Sequence, residues 1–100
     1  MKPYIVSDAA RTDLLAIWDY LAEQASVAVA DRITEDLDKA MQKLAESPGL
    51  GHLRRDLTDQ NVRFWLVHTY LVIYEIGSDP LAVARVLHAS RDVKAILESN

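Results

Sequence analysis

The chain has 100 residues, of which 50% are hydrophobic and 26% charged, and this size and composition predict one globular domain spanning residues 1–100. It contains no cysteine, no run of about 18 apolar residues and no apolar N-terminal stretch, which argues against disulfides, cysteine-bound zinc, a membrane span and a secretory signal. The net charge is −4, and residues 1–50 hold 9 acidic and 5 basic side chains. This balance argues against a general nucleic-acid binder, because phosphate backbones repel an acidic surface.

The chain begins with the pattern of a short strand and a helix. Tyr4-Ile5-Val6 is strand-like, and Ser7 is suited to cap the following helix because its hydroxyl can accept a hydrogen bond from a first-turn amide. Apolar residues then recur on one helix face: Ala10, Leu14, Ile17, Leu21 and Ala25, widened by Leu15 and Trp18. The charged residues of this helix are predicted to lie mainly on the other side: Arg11, Asp13, Asp19 and Glu23.

A second helix is predicted from the cap residue Ser26 to Ser47-Pro48-Gly49, where proline ends the hydrogen-bond ladder. Its apolar stripe consists of Ala30, Ile33, Leu37, Ala40, Met41 and Leu44. The connection between the two helices is very short, so they should fold back as an antiparallel hairpin.

Three runs rich in β-branched and aromatic residues follow a loop at 49–61; they are Val62–Val67, Tyr70–Ile76 and Leu81–Leu87. Gly77-Ser78-Asp79-Pro80 is a strong turn sequence before the last run, and His68-Thr69 is a weaker one after the first. Val93–Leu97 has room for a short helix capped by Ser90 or Asp92.

The helix hairpin and the sheet should pack on each other, since neither can bury its apolar face alone. The prediction is therefore an α+β fold of two layers, with a mostly antiparallel sheet packed on the helical hairpin. The helix residues expected to face the sheet are Leu14, Ile17, Leu21, Ile33, Leu37, Met41 and Leu44.

Four blocks of sequence in a fixed order carry a family resemblance. The first runs from Ser7 to Tyr20 and includes Ile17-Trp18-Asp-Tyr20, and the second runs from Leu44 to His52. The third is Arg54-Arg-Asp-Leu57 and the fourth is Val62-Arg-Phe-Trp65. The series continues along the strands with Tyr70-Leu-Val-Ile-Tyr74 and Val86-Leu-His-Ala-Ser-Arg-Asp92. Together they resemble the ParE branch of the RelE/ParE toxin superfamily. The resemblance implies a β-α-α-β-β-β order with a short C-terminal helix.

The resemblance also implies a function. Members of this branch are toxins of type II toxin–antitoxin systems, which serve plasmid or genome stabilisation. It implies a cytoplasmic, non-enzymatic inhibitor of DNA gyrase that needs no cofactor and is neutralised by a ParD-like antitoxin. The antitoxin would repress the operon with the toxin as co-repressor, so the toxin would meet DNA only through its antitoxin.

A sister branch, typified by RelE, cuts mRNA on the ribosome, and it provides the alternative function. Such cleavage needs cations that stabilise the phosphorane and a group that activates the 2′-hydroxyl. Alignment with a RelE-type strand places Phe64, Leu66 and Leu71 where basic residues often stand, and residues 93–100 contain neither an aromatic side chain nor a histidine. A third hypothesis is a decayed toxin that acts only as antitoxin partner and co-repressor.

The polar residues His88, Arg91 and Asp92 form the most conspicuous cluster in the second half of the chain. His88 could be an acid–base group with Arg91 as phosphate partner, or Arg91 could pair with an acid to fix the exit towards the last helix. No catalytic or cofactor-binding residue is assigned, and the three histidines lack metal-ligand spacing. The residues predicted to contact the target are Arg63, Arg85, His88 and Arg91. A local basic patch is also possible around Arg54, Arg55 and Arg63.

The antitoxin is expected to fold onto a groove formed by the helix hairpin and an exposed sheet edge. An amphipathic helix could lie in this groove, and an extended segment could add a strand. The residues predicted to contact the antitoxin are Leu14, Leu15, Trp18, Leu37 and Met41, with Trp18 as the main anchor because large aromatic side chains dominate interface energies.

Overall fold

A computed structural model describes residues 3–99 and confirms the predicted order of elements. The elements are β1 (Tyr4–Val6), α1 (Asp8–Gln24), α2 (Val27–Glu46), a 3₁₀ turn (Pro48–Leu50), β2 (Val62–Val67), β3 (Tyr70–Glu75), β4 (Leu81–His88) and α3 (Val93–Glu98). Within residues 3–99, no helix combines the length and the apolar character that crossing a membrane requires.

The two long helices begin where their serine caps predict. The Ser7 hydroxyl accepts a hydrogen bond from the Ala10 amide at 3.0 Å, and the Ser26 hydroxyl accepts one from the Val29 amide at 3.1 Å. The predicted stripe faces the sheet, and Leu37 has no exposed surface. Because both caps satisfy otherwise unpaired amides, they fix the point at which the chain leaves β1 and reverses between the helices.

The four strands lie in the order β1-β4-β3-β2. β4 pairs antiparallel with β3, β3 pairs antiparallel with β2, and β1 adds a parallel neighbour to β4. The two-residue turn between β2 and β3 places His68 at a φ of 55°, and the turn after β3 places Gly77 at 82°, a conformation that glycine adopts without strain. β1 and β2 are therefore the two edges of the sheet.

A β-bulge in β4 alters which side chains face the helices. Ile73 pairs with Arg85 but Tyr74 pairs with Val83, so Ala84 is the extra residue. Val83 and Val86, which are three residues apart, consequently both pack in the core under the helices. Strict alternation would have placed them on opposite faces.

The sheet buries apolar side chains on both faces, which the sequence pattern did not predict. The face under the helix hairpin forms the larger core, which includes Leu37, Met41, Leu44, Val72 and Tyr74. The other face carries a smaller core of Val62, Phe64, Leu71, Ile73, Leu87, Val93 and Leu97. The short helix α3 and Leu57 of the loop before β2 cover this second core. The two-layer arrangement thus gains a partial cover on its outer side.

Tyr74 fastens the segment after α2 to the sheet. Its buried hydroxyl accepts a hydrogen bond from the Gly51 amide at 2.9 Å and donates one to the Pro48 carbonyl at 2.6 Å. Burial raises the pKa of Tyr74. A Cβ on Gly51 would lie 2.4 Å from the tyrosine oxygen, so this close approach requires glycine.

Candidate functional site

Arg85 lies inside the fold, bound to Asp13 of α1. Its Nε and Nη2 atoms donate to the two carboxylate oxygens at 2.7 and 2.8 Å, and the Val86 amide donates to the same carboxylate at 3.0 Å. The hydrogen bond to Asp13 raises the pKa of Arg85. The prediction that Asp13 lies on the solvated side of α1 is wrong, because this side chain is only 8% exposed. Arg85 therefore joins β4 to α1, and its charge is compensated within the chain.

The arginines of the expected basic patch are each engaged by the chain itself. Arg63 donates to the Gly51 carbonyl at 3.0 Å, and Arg54 makes a two-pronged contact with Asp56 at 2.8 and 3.0 Å. Arg55 donates to the backbone carbonyls of two nearby loop residues. These contacts organise the loop before β2, and Asp56 compensates the charge of Arg54.

His88 and its neighbours form an ordered turn at the end of β4. The His88 Nδ1 atom accepts a hydrogen bond from the Ser90 amide at 3.0 Å and lies 2.7 Å from the Ser90 hydroxyl oxygen. In the neutral ring the proton therefore lies on Nε2. The ring also meets Tyr70 edge to face, with 5.3 Å between the centroids. Asp92 caps α3 by accepting from the Ala95 amide at 3.2 Å, as one of the two cap predictions stated.

Arg91 is the predicted target residue that lies exposed beyond this turn. Among residues 3–99 its side chain has no hydrogen bond or ion pair, so the predicted pairing with an acid is absent from the described structure. Arg91 borders two concavities. On the sheet face that packs against the helices lies a cleft of about 710 Å³, lined by residues that include Tyr20, Tyr70, His88 and Ser90. On the opposite face of the sheet lies a second concavity of about 340 Å³, which we call the outer cavity.

The outer cavity is lined by Phe64, Leu66 and Leu71, the apolar residues at positions where RelE-type chains often carry basic residues. Its other lining residues are His52, Arg54, Leu57, Ala89, Arg91 and Val93. Phe64, Leu71 and Val93 are buried and form its floor, whereas Leu66 is 58% exposed. An apolar floor lacks the cations that a phosphorane needs. In residues 3–99, no three acidic or histidine side chains are grouped closely enough to hold a metal.

The predicted antitoxin residues divide into surface and core. Leu15 is 62% exposed, and Trp18 is half-buried with its indole Nε1 donating to Asp31 at 2.9 Å. Leu14 is half-buried against the core. Leu37 and Met41 lie on the buried face of α2, so they offer no surface to a partner of the folded chain, and their predicted contact with the antitoxin is wrong for this fold. Tyr20, whose place on an amphipathic helix is typical of core or protein-interface aromatics, is more than half exposed. Val27, which the sequence pattern did not single out, is also more than half exposed.

Comparison with known proteins places the chain in a family. The family model described as "ParE toxin of type II toxin-antitoxin system, parDE" matches residues 4–93. The chain belongs to the ParE toxin family. It is 32% identical over 101 aligned positions to Toxin ParE1 of Caulobacter vibrioides, with 97% of this chain and 99% of that protein covered.

A solved structure of the same fold supports the architecture. The structure titled "Chromosomal ParDE TA system from P. aeruginosa" superposes with a TM-score of 0.74 and covers 87% of this chain and 95% of its own. The sequence identity is 16%, so this likeness bears on the fold. Membership of the ParE family makes the chain a toxin of a type II toxin–antitoxin system.

Proposed function

We propose that this ParE-family toxin inhibits DNA gyrase without catalysing a reaction, and that a ParD-like antitoxin neutralises it by binding the helix hairpin. The family match over residues 4–93 carries the proposal, because its description names the parDE pair. The apolar floor of the outer cavity supports a non-enzymatic role over mRNA cleavage. Arg54 there is already paired with Asp56, which leaves Arg91 as the cation at that rim without a partner in residues 3–99.

The outer surface of the hairpin has the properties of an antitoxin site. Leu15 and Trp18 are one turn apart on α1, so they present an apolar strip away from the core. The indole of Trp18 donates to Asp31 of α2, so the ring lies where the two helices meet. Acidic residues outnumber basic ones by 9 to 5 in residues 1–50. An amphipathic antitoxin helix with apolar and basic side chains would complement this surface.

As the family resemblance implies, the C-terminal half of the antitoxin should be disordered when free and fold on this surface, and this ordering costs conformational entropy. The interface should therefore bury more than the roughly 1,600 Å² of a standard protein–protein interface. The same contact would explain regulation of the operon. The antitoxin would bind the operator DNA, and the toxin would act as co-repressor through its contact with the antitoxin.

The substitution Leu15→Glu tests the antitoxin site. A buried, unpaired carboxylate would be costly, so the variant should bind purified antitoxin at least about tenfold more weakly in calorimetric titration. Leu53→Glu is the matched control, because Leu53 is 46% exposed in the loop before β2, belongs neither to the hairpin nor to an edge strand, and should leave affinity unchanged. Circular dichroism verifies that both variants fold. A folded Leu15→Glu protein with wild-type affinity would exclude this part of α1 from the interface.

Controlled expression in a bacterial host tests the target. Filamentation with DNA breaks, together with inhibition of purified gyrase in a supercoiling assay, is the expected outcome. Rapid translation arrest with cut transcripts would instead support the mRNA interferase alternative. Normal growth with retained antitoxin binding would support a decayed toxin that serves only as co-repressor.

A further inference from the structure

The outer cavity has the dimensions and the floor of a receptor for an apolar side chain. Its volume of about 340 Å³ falls in the lower range of ligand sites in proteins. Phe64 and Leu71 are 2% and 9% exposed, so the second core supports the floor from below. Leu66 stands at the wall with more than half of its surface exposed. An apolar group that enters would therefore contact Leu66 on one side and rest on a floor whose side chains are already held in place.

The charge around the cavity defines what else its occupant should carry. Two arginines and a histidine line the cavity, and its described lining includes no acidic side chain. Arg54 has its partner in Asp56, whereas Arg91 has none in residues 3–99. This local charge is opposite in sign to the net charge of −4 of the chain. A carboxylate beside the apolar group would complement Arg91.

Strand β2 offers backbone hydrogen-bonding groups next to the outer cavity. It is an edge of the sheet, and Phe64 exchanges two hydrogen bonds of 2.8 Å with His52 on the side away from β3. Alternation along an antiparallel strand directs the amide and carbonyl of Leu66 to that same side. Neither group has a hydrogen-bond partner in residues 3–99 outside the strand ladder. An extended segment could therefore continue the pairing beyond His52.

We propose that the outer cavity binds an extended acidic–apolar segment of the toxin's protein target. One apolar side chain fills the cavity, a neighbouring carboxylate contacts Arg91, and the backbone pairs with Leu66. The assignment of this segment to gyrase rests on the proposed function. A protein segment is favoured over nucleic acid, because the floor of the cavity is apolar and offers no side-chain groups that hydrogen-bond to bases.

A nuclear magnetic resonance titration of the isotope-labelled chain tests the site directly. The probe is the capped peptide Glu-Val-Leu-Glu-Val, compared with its Gln-for-Glu counterpart and with a short oligothymidine. We expect saturable shifts centred on Phe64, Leu66 and Arg91 with the acidic peptide and about tenfold weaker binding of the neutral one. Absence of saturable shifts at these residues, or tighter binding of oligothymidine, would overturn the proposal.

Variants connect the site with the target. Leu66→Glu and Arg91→Gln should each reduce peptide affinity and gyrase inhibition about tenfold or more, with antitoxin affinity unchanged. Ile5→Glu is the control for Leu66, since the two exposures are 56% and 58%. Lys94→Gln is the control for Arg91, because it removes an exposed cation outside the cavity.

The peptide titration and the gyrase assay together distinguish a failure of this inference from a failure of the proposed function. If the wild-type protein inhibits gyrase and a folded Leu66→Glu protein inhibits it equally, the outer cavity is not the target site. If the wild-type protein does not inhibit gyrase, the proposed target is wrong. The peptide titration then decides the inference on its own, because it does not involve gyrase.

Discussion

Removal of the Tyr74 hydroxyl should destabilise the protein more than the loss of one oxygen atom suggests. The hydroxyl satisfies the Gly51 amide and the Pro48 carbonyl, and Tyr74 is fully buried. Tyr74→Phe deletes two hydrogen bonds, each worth about 1 kcal/mol, and leaves a buried amide unpaired at a further cost of about 1–3 kcal/mol. The free energy of unfolding should fall by about 3–5 kcal/mol in urea denaturation followed by circular dichroism.

The substitution Gly51→Ala provides the second half of a double-mutant cycle. Its new Cβ would lie 2.4 Å from the Tyr74 oxygen and 2.8 Å from Cε1, so the single variant should also be destabilised. The double variant should lose less stability than the sum of the two, because deletion of the hydroxyl removes the closest clash. Tyr20→Phe is the control, since that exposed hydroxyl should contribute less than about 0.5 kcal/mol. Additivity within about 0.3–0.5 kcal/mol would refute the proposed contact.

Three further outcomes are expected. Leu37→Ala should cost about 2–5 kcal/mol of unfolding free energy, measured by urea denaturation, because the side chain is fully buried; a loss below 1 kcal/mol would contradict its place in the core. The hydrogen bond from His68 holds the pKa of Asp36 below its ordinary value of 3.8. Its stabilisation is therefore present above that value and lost as pH falls, so Asp36→Asn should flatten the acid limb of a pH–stability profile, whereas identical limbs would contradict this. Purified protein should leave mRNA intact on ribosomes in a primer-extension assay; cleavage lost in His88→Ala or Arg91→Ala would establish the interferase alternative.

Local signals in the sequence were sufficient for the elements of the fold. Ser7 and Ser26 cap their helices as predicted, since capping depends on residues only three positions apart. The stripe that includes Leu37 faces the sheet because a helix repeats its faces with a fixed period. The family match agrees with the resemblance carried by the four sequence blocks.

Features that depend on contacts far apart in the chain were not predicted. Asp13 looks solvated by its helical position, but Arg85 arrives from 72 residues away to pair with it. The bulge in β4 interrupts the alternation that the strand pattern assumes, and the second core forms only when α3 folds back over the sheet. Leu37 and Met41 were predicted both to face the sheet and to contact the antitoxin, and their burial agrees with the first prediction and contradicts the second. The exposure of Arg91 is a property of the assembled fold.

The position of β4 between β1 and β3 has a consequence for biosynthesis. β1 is synthesised before both long helices, but its neighbour in the sheet, β4, is synthesised only after β2 and β3. Until residues 81–88 have been made, β1 has no strand to pair with and the underside of the hairpin lacks a central part of its cover. A product that terminates before Leu81 would leave the sheet in two unconnected parts and expose apolar surface to proteases and chaperones. The toxin can therefore complete its fold only after translation has passed β4.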